Sequence, residues 1–238
     1  MIVRNLQHVR DRITTACFAA GRNPATVRLL AVSKTFPTQA VLDAMSDGQR
    51  AFGENYITEG VEKILELKAN AASGMVKPLE WHCIGPVQSN KTRLVAENFD
   101  WVQSVDRLKV AQRLSEQRPP GLAPLQVCLQ VNLDAGAHKS GVAAGEALAL
   151  AKEVAQLPNL VLRGLMSIPE PATDFVAACA VHQKAKDLFD AINASGELPI
   201  ALDTLSIGMT GDLEAAIHAG STMVRVGSAI FGGRAAKN

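Results

Sequence analysis

Short apolar runs alternate with longer stretches of helical period about eight times along the 238 residues. A strand flanked by helices on both faces is buried on both faces, so it reads as a continuous apolar run. Val27 to Ser33 (VRLLAVS) and Pro124 to Leu133 (PLQVCLQVNL) are such runs. Further strands are expected at Ala51-Phe52-Gly53, Glu80 to Ile84, Trp101 to Ser104, Leu160 to Ile168, Thr204 to Ile207 and Thr222 to Val226. Helical stretches fall between them: Pro37 to Met45, Ile57 to Lys68, Asn90 to Glu97, Arg107 to Gln117, Ala144 to Gln156, Phe175 to Ser195 and Leu213 to Ala219. One more helix precedes the first strand. From Asn5 to Ala20, Leu6, Val9, Ile13, Ala16 and Cys17 share a face, and Gly21 makes a stop. Units of roughly 25–30 residues, about eight of them, predict an α/β fold: a single (β/α)8 TIM barrel with an additional N-terminal helix. A doubly wound open sheet would want fewer units or a glycine-rich first turn, and no GxGxxG is present. The loops at Ala69 to Lys77 and Arg118 to Pro124 do not read as domain boundaries, so residues 1–238 are expected to form one domain.

Composition removes several function classes. The formal net charge is +1 and the basic residues are scattered, so no field for nucleic acid or an anionic membrane is expected. Cys17, Cys83, Cys128 and Cys179 form no CxxC pair and lie near no ligand-spaced histidine. They read as free, mostly buried thiols in a reducing compartment. With no apolar leader at the amino terminus and no run long enough to span a bilayer, the expected address is the cytoplasm.

In a barrel of this kind the chemistry lies at the carboxyl ends of the strands. Lys34 emerges there from the first apolar run. Partial desolvation lowers an ammonium pKa and yields a neutral amine that attacks aldehydes; the plain alternative is a lysine snorkelling to solvent. The loops after the last two strands, Ser206 to Gly211 and Gly227 to Gly232, are rich in small and hydroxyl residues. Barrels often hold phosphate at that place, where backbone N–H groups can close on an anion, though ordinary turn glycines would look the same. A lysine nucleophile plus a phosphate cup describes either a pyridoxal phosphate site or a Schiff-base sugar-phosphate aldolase. Arg225 bears on the choice. Facing a pyridine nitrogen it could only donate, leaving that nitrogen unprotonated and the ring a weaker electron sink; otherwise it pairs with an acid or with phosphate.

The segments Leu30 to Thr35 (LAVSKT), Phe52 to Tyr56 (FGENY), Trp81 to Lys91 (WHCIGPVQSNK), Arg163 to Ile168 (RGLMSI), Leu205 to Met209 (LSIGM) and Met223 to Gly232 (MVRVGSAIFG), with Lys139-Ser140-Gly141, resemble the pyridoxal phosphate homeostasis proteins in order along the chain. The resemblance implies the barrel of alanine racemase without that enzyme's second β domain. It implies pyridoxal 5′-phosphate as a Schiff base on Lys34, Arg225 facing the pyridine nitrogen, Ser206, Gly227 and Ser228 holding phosphate, and Asn55 and Met209 lining the cofactor. It also implies a monomer or weak dimer. The chain departs from the family at Thr210-Gly211-Asp212 and at Ser228, where a hydroxyl is kept. No metal site is expected.

Two functions follow from this. One is a non-catalytic carrier that buffers pyridoxal phosphate, maintains vitamin B6 and amino-acid homeostasis, and serves pyridoxal phosphate-dependent apo-enzymes. The other is a weakly active amino-acid racemase-like enzyme. Two-base racemisation needs an acid/base on each face of the substrate. Lys34 could serve one face, and Tyr56 is the only tyrosine available for the other; the chain given ends about six residues beyond Gly232. Racemisation is therefore expected to be negligible. Lys139 reads as a solvated loop residue, a lid charge or a second aldehyde acceptor. Asn90 and Lys91 are expected to cap and start a helix, His82 to be a satisfied interior histidine, His138 to be exposed, and Trp81 and Trp101 to pack the barrel.

Overall fold

Gly21 ends the first helix through both hydrogen bonds of a Schellman turn. Arg22 N donates to Cys17 O at 2.8 Å and Gly21 N to Phe18 O at 3.1 Å, while Gly21 takes φ +65°. The apolar stripe of that helix, α1 (Ile2–Ala19), is buried. The computed structural model describes residues 1–71, 78–133 and 140–233, with backbone alone for residues 70 and 71.

After α1 come β1 (Arg28–Val32), α2 (Thr38–Ser46), β2 (Ala51–Glu54), α3 (Ile57–Ala71), β3 (Glu80–Cys83), α4 (Thr92–Asn98), β4 (Trp101–Val105), α5 (Leu108–Gln117) and β5 (Leu125–Asn132). The second half carries β6 (Val142–Ala143), α6 (Ala147–Ala155), β7 (Leu160–Met166), α7 (Phe175–Ala194), β8 (Thr204–Ser206), α8 (Leu213–His218), β9 (Met223–Val226) and α9 (Ser228–Phe231). Parallel pairings run β4-β3-β2-β1-β9-β8-β7-β5, and β4 with β5 shuts the ring. Eight strands therefore close, as the sequence predicts; the two-residue β6 only extends the end of β5. The predicted helix at Ala144 starts instead as a 3-10 turn, Ala144–Glu146, a common way to open a helix. Lys91, before α4, makes no capping bond with its side chain. Its amine reaches Thr58 Oγ1 at 3.2 Å instead; Lys91 stands at the N-cap and opens the helix as expected, with Val95 N donating to Lys91 O at 3.2 Å, and only capping by its side chain is missing.

Alternation along each strand sorts side chains between two cores. Ala31, Phe52, Val102 and Val224 join the large apolar layer under the helices. Leu30, Val32, Ile84 and Met223 form a smaller cluster of their own, as do Trp101, Cys128 and Met166. The inward set also includes polar groups: His82, Gln103, Ser206 and Arg225 are all buried. Register brings Leu30 beside Arg225 and Val32 beside Gly53. Because the strands are parallel, the residues after β1, β2, β8 and β9 meet at one mouth.

Candidate functional site

That mouth holds a cavity of about 350 Å³. Lys34, Thr35 and Phe36 form one wall; Met209 to Gly211 and Gly227-Ser228 form another; Asn55 and Arg225 also line it. Lys34 is half-buried in the turn that leaves β1. The two walls are tied by the Phe36 and Phe231 rings, whose centroids lie 5.3 Å apart.

The loop after β8 owes its shape to Gly208. Its φ is +92°, and a Cβ there would lie 2.4 Å from Ala216 Cβ, so glycine is required. Asp212 fixes the loop from below. Its Oδ1 accepts from Met209 N at 2.6 Å, and its Oδ2 lies 3.0 Å from His182 Nε2. Burial raises the Asp212 carboxyl, but His182 and the Met209 amide outweigh it and hold it below the usual carboxylate range. After β9, a Cβ on Gly227 would stand 3.1 Å from Val32 O, so the bare backbone is what lets this loop lie against β1. Ser228 Oγ donates to Thr210 Oγ1 at 3.2 Å, joining the two loops.

Arg225 is buried, and its guanidinium donates to Ser206 O at 2.6 Å, to Ser206 Oγ at 2.8 Å and to Ser167 O at 2.9 Å. Burial pulls its pKa down to about 10, which leaves it charged at neutral pH. Ser206 is placed differently from Ser228. It is fully buried, and its hydroxyl donates to Gln103 Oε1 at 2.6 Å while accepting from Arg225. With its donor and acceptor engaged in this way, Ser206 supports Arg225 and is not among the residues that line the cavity. Gln103 Nε2 goes on to His82 Nδ1 at 2.9 Å, and His82 Nε2 lies 2.7 Å from Glu80 Oε1. His82 also stacks on Trp101 with centroids 5.0 Å apart. Burial lowers the His82 pKa, so the neutral ring donates to Glu80 and accepts from Gln103.

A group behind Lys34 escaped the reading of the sequence. Lys63, on α3, is buried, and its amine donates to Ser33 O at 3.0 Å and to Glu54 Oε1 at 2.6 Å, with Glu59 Oε1 at 3.5 Å. Ser33 Oγ also donates to Glu54 Oε1 at 2.6 Å. Burial pushes the Glu54 carboxyl up, against the pull of Lys63 and Ser33. A signal was present: Lys63 falls on the same helical stripe as Gly60, Ile64 and Leu67, and a lysine on a buried stripe demands a partner.

Other residues lie apart from the mouth. Tyr56 is half-exposed, at 53%, and is not on the cavity wall. Lys139 and His138 lie outside the described residues. Burial pushes the Cys83 and Cys128 thiols up to about 12, which makes them inert. Among the described residues no cluster of His, Cys, Asp and Glu could hold a metal, and no helix is long and apolar enough to cross a membrane.

A closed β/α barrel with a lysine and a glycine–hydroxyl loop facing one cavity defines the class of the alanine racemase barrels, and the family described as "Alanine racemase, N-terminal domain" matches residues 4–235. The pyridoxal phosphate homeostasis protein of Pseudomonas aeruginosa is 55% identical, over 98% of this chain and 96% of its own length. That of Escherichia coli K12 is 50% identical, over 98% and 97%. The structure of PipY from Synechococcus elongatus, described with PLP bound, is similar at TM-score 0.83 and 32% identity, covering 98% of this chain and all of that one (100%). The chain belongs to the pyridoxal phosphate homeostasis protein family. Alanine racemase of Clostridium difficile shares the fold at TM-score 0.71, with 15% identity over 58% of its length.

Proposed function

We propose that this chain is a non-catalytic pyridoxal 5′-phosphate-binding protein, attached to its cargo through Lys34, that buffers the cofactor and so serves vitamin B6 and amino-acid homeostasis. The observation that carries this is one cavity lined by Lys34, by the Gly227-Ser228 loop and by Arg225. The residues present fit the group. The volume lies at the lower end of ligand sites, and Gly227 lets its loop lie close against β1 at the cavity's edge. Asn55 Oδ1 is buried without a hydrogen-bond partner, and such an atom asks for a partner from whatever fills the cavity. The ligand supplies an aldehyde and a phosphate. Lys34 supplies the amine, the amides of Gly227 and Ser228 and the hydroxyls of Ser228 and Thr210 receive the phosphate, Asn55 and Met209 line the ring, and the charged Arg225 donates to the pyridine nitrogen.

The names of the relatives support a homeostatic role over a catalytic one. The position of Tyr56, away from the cavity wall, supports it too, because two-base chemistry needs a second group beside the substrate. In this reading the chain works as one domain, a cytoplasmic monomer or weak dimer, and hands the cofactor to pyridoxal phosphate-dependent apo-enzymes. Absorbance before and after adding pyridoxal phosphate, then borohydride reduction and peptide mapping, tests the site. A visible band and a label on the Lys34 peptide are expected; a colourless, unlabelled protein would falsify the reading. Alanine racemase turnover above about one per second, within the usual enzyme range, would overturn the non-catalytic part.

A further inference from the structure

Thr35, directly after Lys34, has φ +67° and is the sole non-glycine residue with positive φ among those described. A β-branched side chain gains nothing from that conformation, which persists only where surrounding contacts impose it. Phe36 N donates to Ser33 O at 3.1 Å and closes the turn, and side chains from β2 and α3 hold it in place. Glu59 Oε1 accepts from Thr35 N at 2.5 Å. Lys63 holds Ser33 O, and Glu54 holds Ser33 Oγ. Lys63 is itself held between Glu54 and Glu59, at 2.6 Å and 3.5 Å. The residues on both sides of Lys34 are thus gripped by α3 and the end of β2, while Lys34 itself faces the cavity.

We propose that Glu59, backed by Lys63 and Glu54, is a clamp that fixes the Ser33–Thr35 turn and so aims the Lys34 amine. These are positioning residues, and the inference rests on the cofactor reading above. In the step they serve, the Lys34 nitrogen forms a C=N bond to the aldehyde carbon. The aldehyde oxygen leaves as water with the two amine protons, and the clamp residues exchange no proton. Packing alone does not require Glu59 there. Its side chain is 35% exposed, so its removal leaves the barrel's cores intact, whereas the turn, closed by its own backbone bond, loses the acceptor that anchors its Thr35 amide to α3.

The test is stopped-flow capture of pyridoxal phosphate by the full chain, read as growth of the visible band. Beside it runs equilibrium binding of pyridoxine 5′-phosphate, which has the same ring and phosphate but no aldehyde. Glu59→Ala is expected to slow capture about 10- to 100-fold, the scale of a misplaced reacting group. Its affinity for pyridoxine phosphate should stay within about twofold, since that ligand does not need the amine. Glu59→Gln keeps an acceptor for the Thr35 amide and is expected to recover capture to within about threefold of wild type. A Glu59→Ala protein that captures as fast as wild type overturns the clamp alone. So does one whose affinity for pyridoxine phosphate falls in step with its capture rate, because that is general damage to the cavity. Wild-type protein that never captures the aldehyde overturns the cofactor reading and the clamp with it.

Discussion

Ser206 and Ser228 carry the same hydroxyl in opposite settings, and their removal is expected to separate stability from binding. Ser206→Ala strands Gln103 Oε1 and takes one acceptor from Arg225, all in a buried setting. It is expected to cost about 1–3 kcal/mol in urea unfolding. The Ser228 hydroxyl bonds only Thr210 Oγ1 among the described residues and lies near solvent. Ser228→Ala is therefore expected to leave stability within about 0.5 kcal/mol, while calorimetry shows pyridoxal phosphate bound about fivefold more weakly, the value of one hydrogen bond. Equal effects of the two substitutions on binding would place Ser206 in the phosphate cup.

Strands β7 and β8 approach each other closely at one glycine. A Cβ on Gly164 would lie 1.6 Å from Thr204 O, a backbone atom of the neighbouring strand. Nothing can rotate away, so the ladder itself must part. Gly164→Ala is expected to destabilise by more than about 3 kcal/mol. Gly145, in the 3-10 turn before α6, has open space around its Cβ position. There, Gly145→Ala is expected to be neutral or to stabilise by up to about 1 kcal/mol, because glycine loses more backbone entropy on folding. Urea midpoints of the pair check both. A mild Gly164→Ala would mean that the ring can open locally without loss.

The polar chain along the barrel axis makes the stability of the whole molecule sensitive to acid. Burial raises the Glu80 carboxyl, but His82 and Arg28 outweigh it and bring its pKa to about 2, from 4.5. A depressed carboxyl contributes stability that is present above the unfolded pKa and lost as pH falls through the folded one. Between pH 4.5 and 2 the wild type is therefore expected to lose on the order of 2 kcal/mol through this group, allowing for solvent screening. Glu80→Gln should flatten that part of the curve, and identical urea midpoints for both proteins across it would exclude the assignment. This chain of contacts also marks where reading the sequence stops. Apolar runs such as Val27 to Ser33, recurring at the spacing of a barrel, determined the fold class, because a buried parallel strand can be written in few ways. Parallel direction then put Lys34 and the loops around Ser206 and Ser228 at one mouth, so the candidate site was legible too. Alternation tells which face a residue takes but not what stands opposite. Gln103 meets Ser206 across 103 residues of sequence, and Lys63 meets Glu54 and Ser33 only once α3 lies on β2. Those pairings depend on how the closed ring sets its register and how each helix seats on it, and that is why only the tertiary structure decided that Ser206 supports the arginine and that Lys34 stands in a clamped turn.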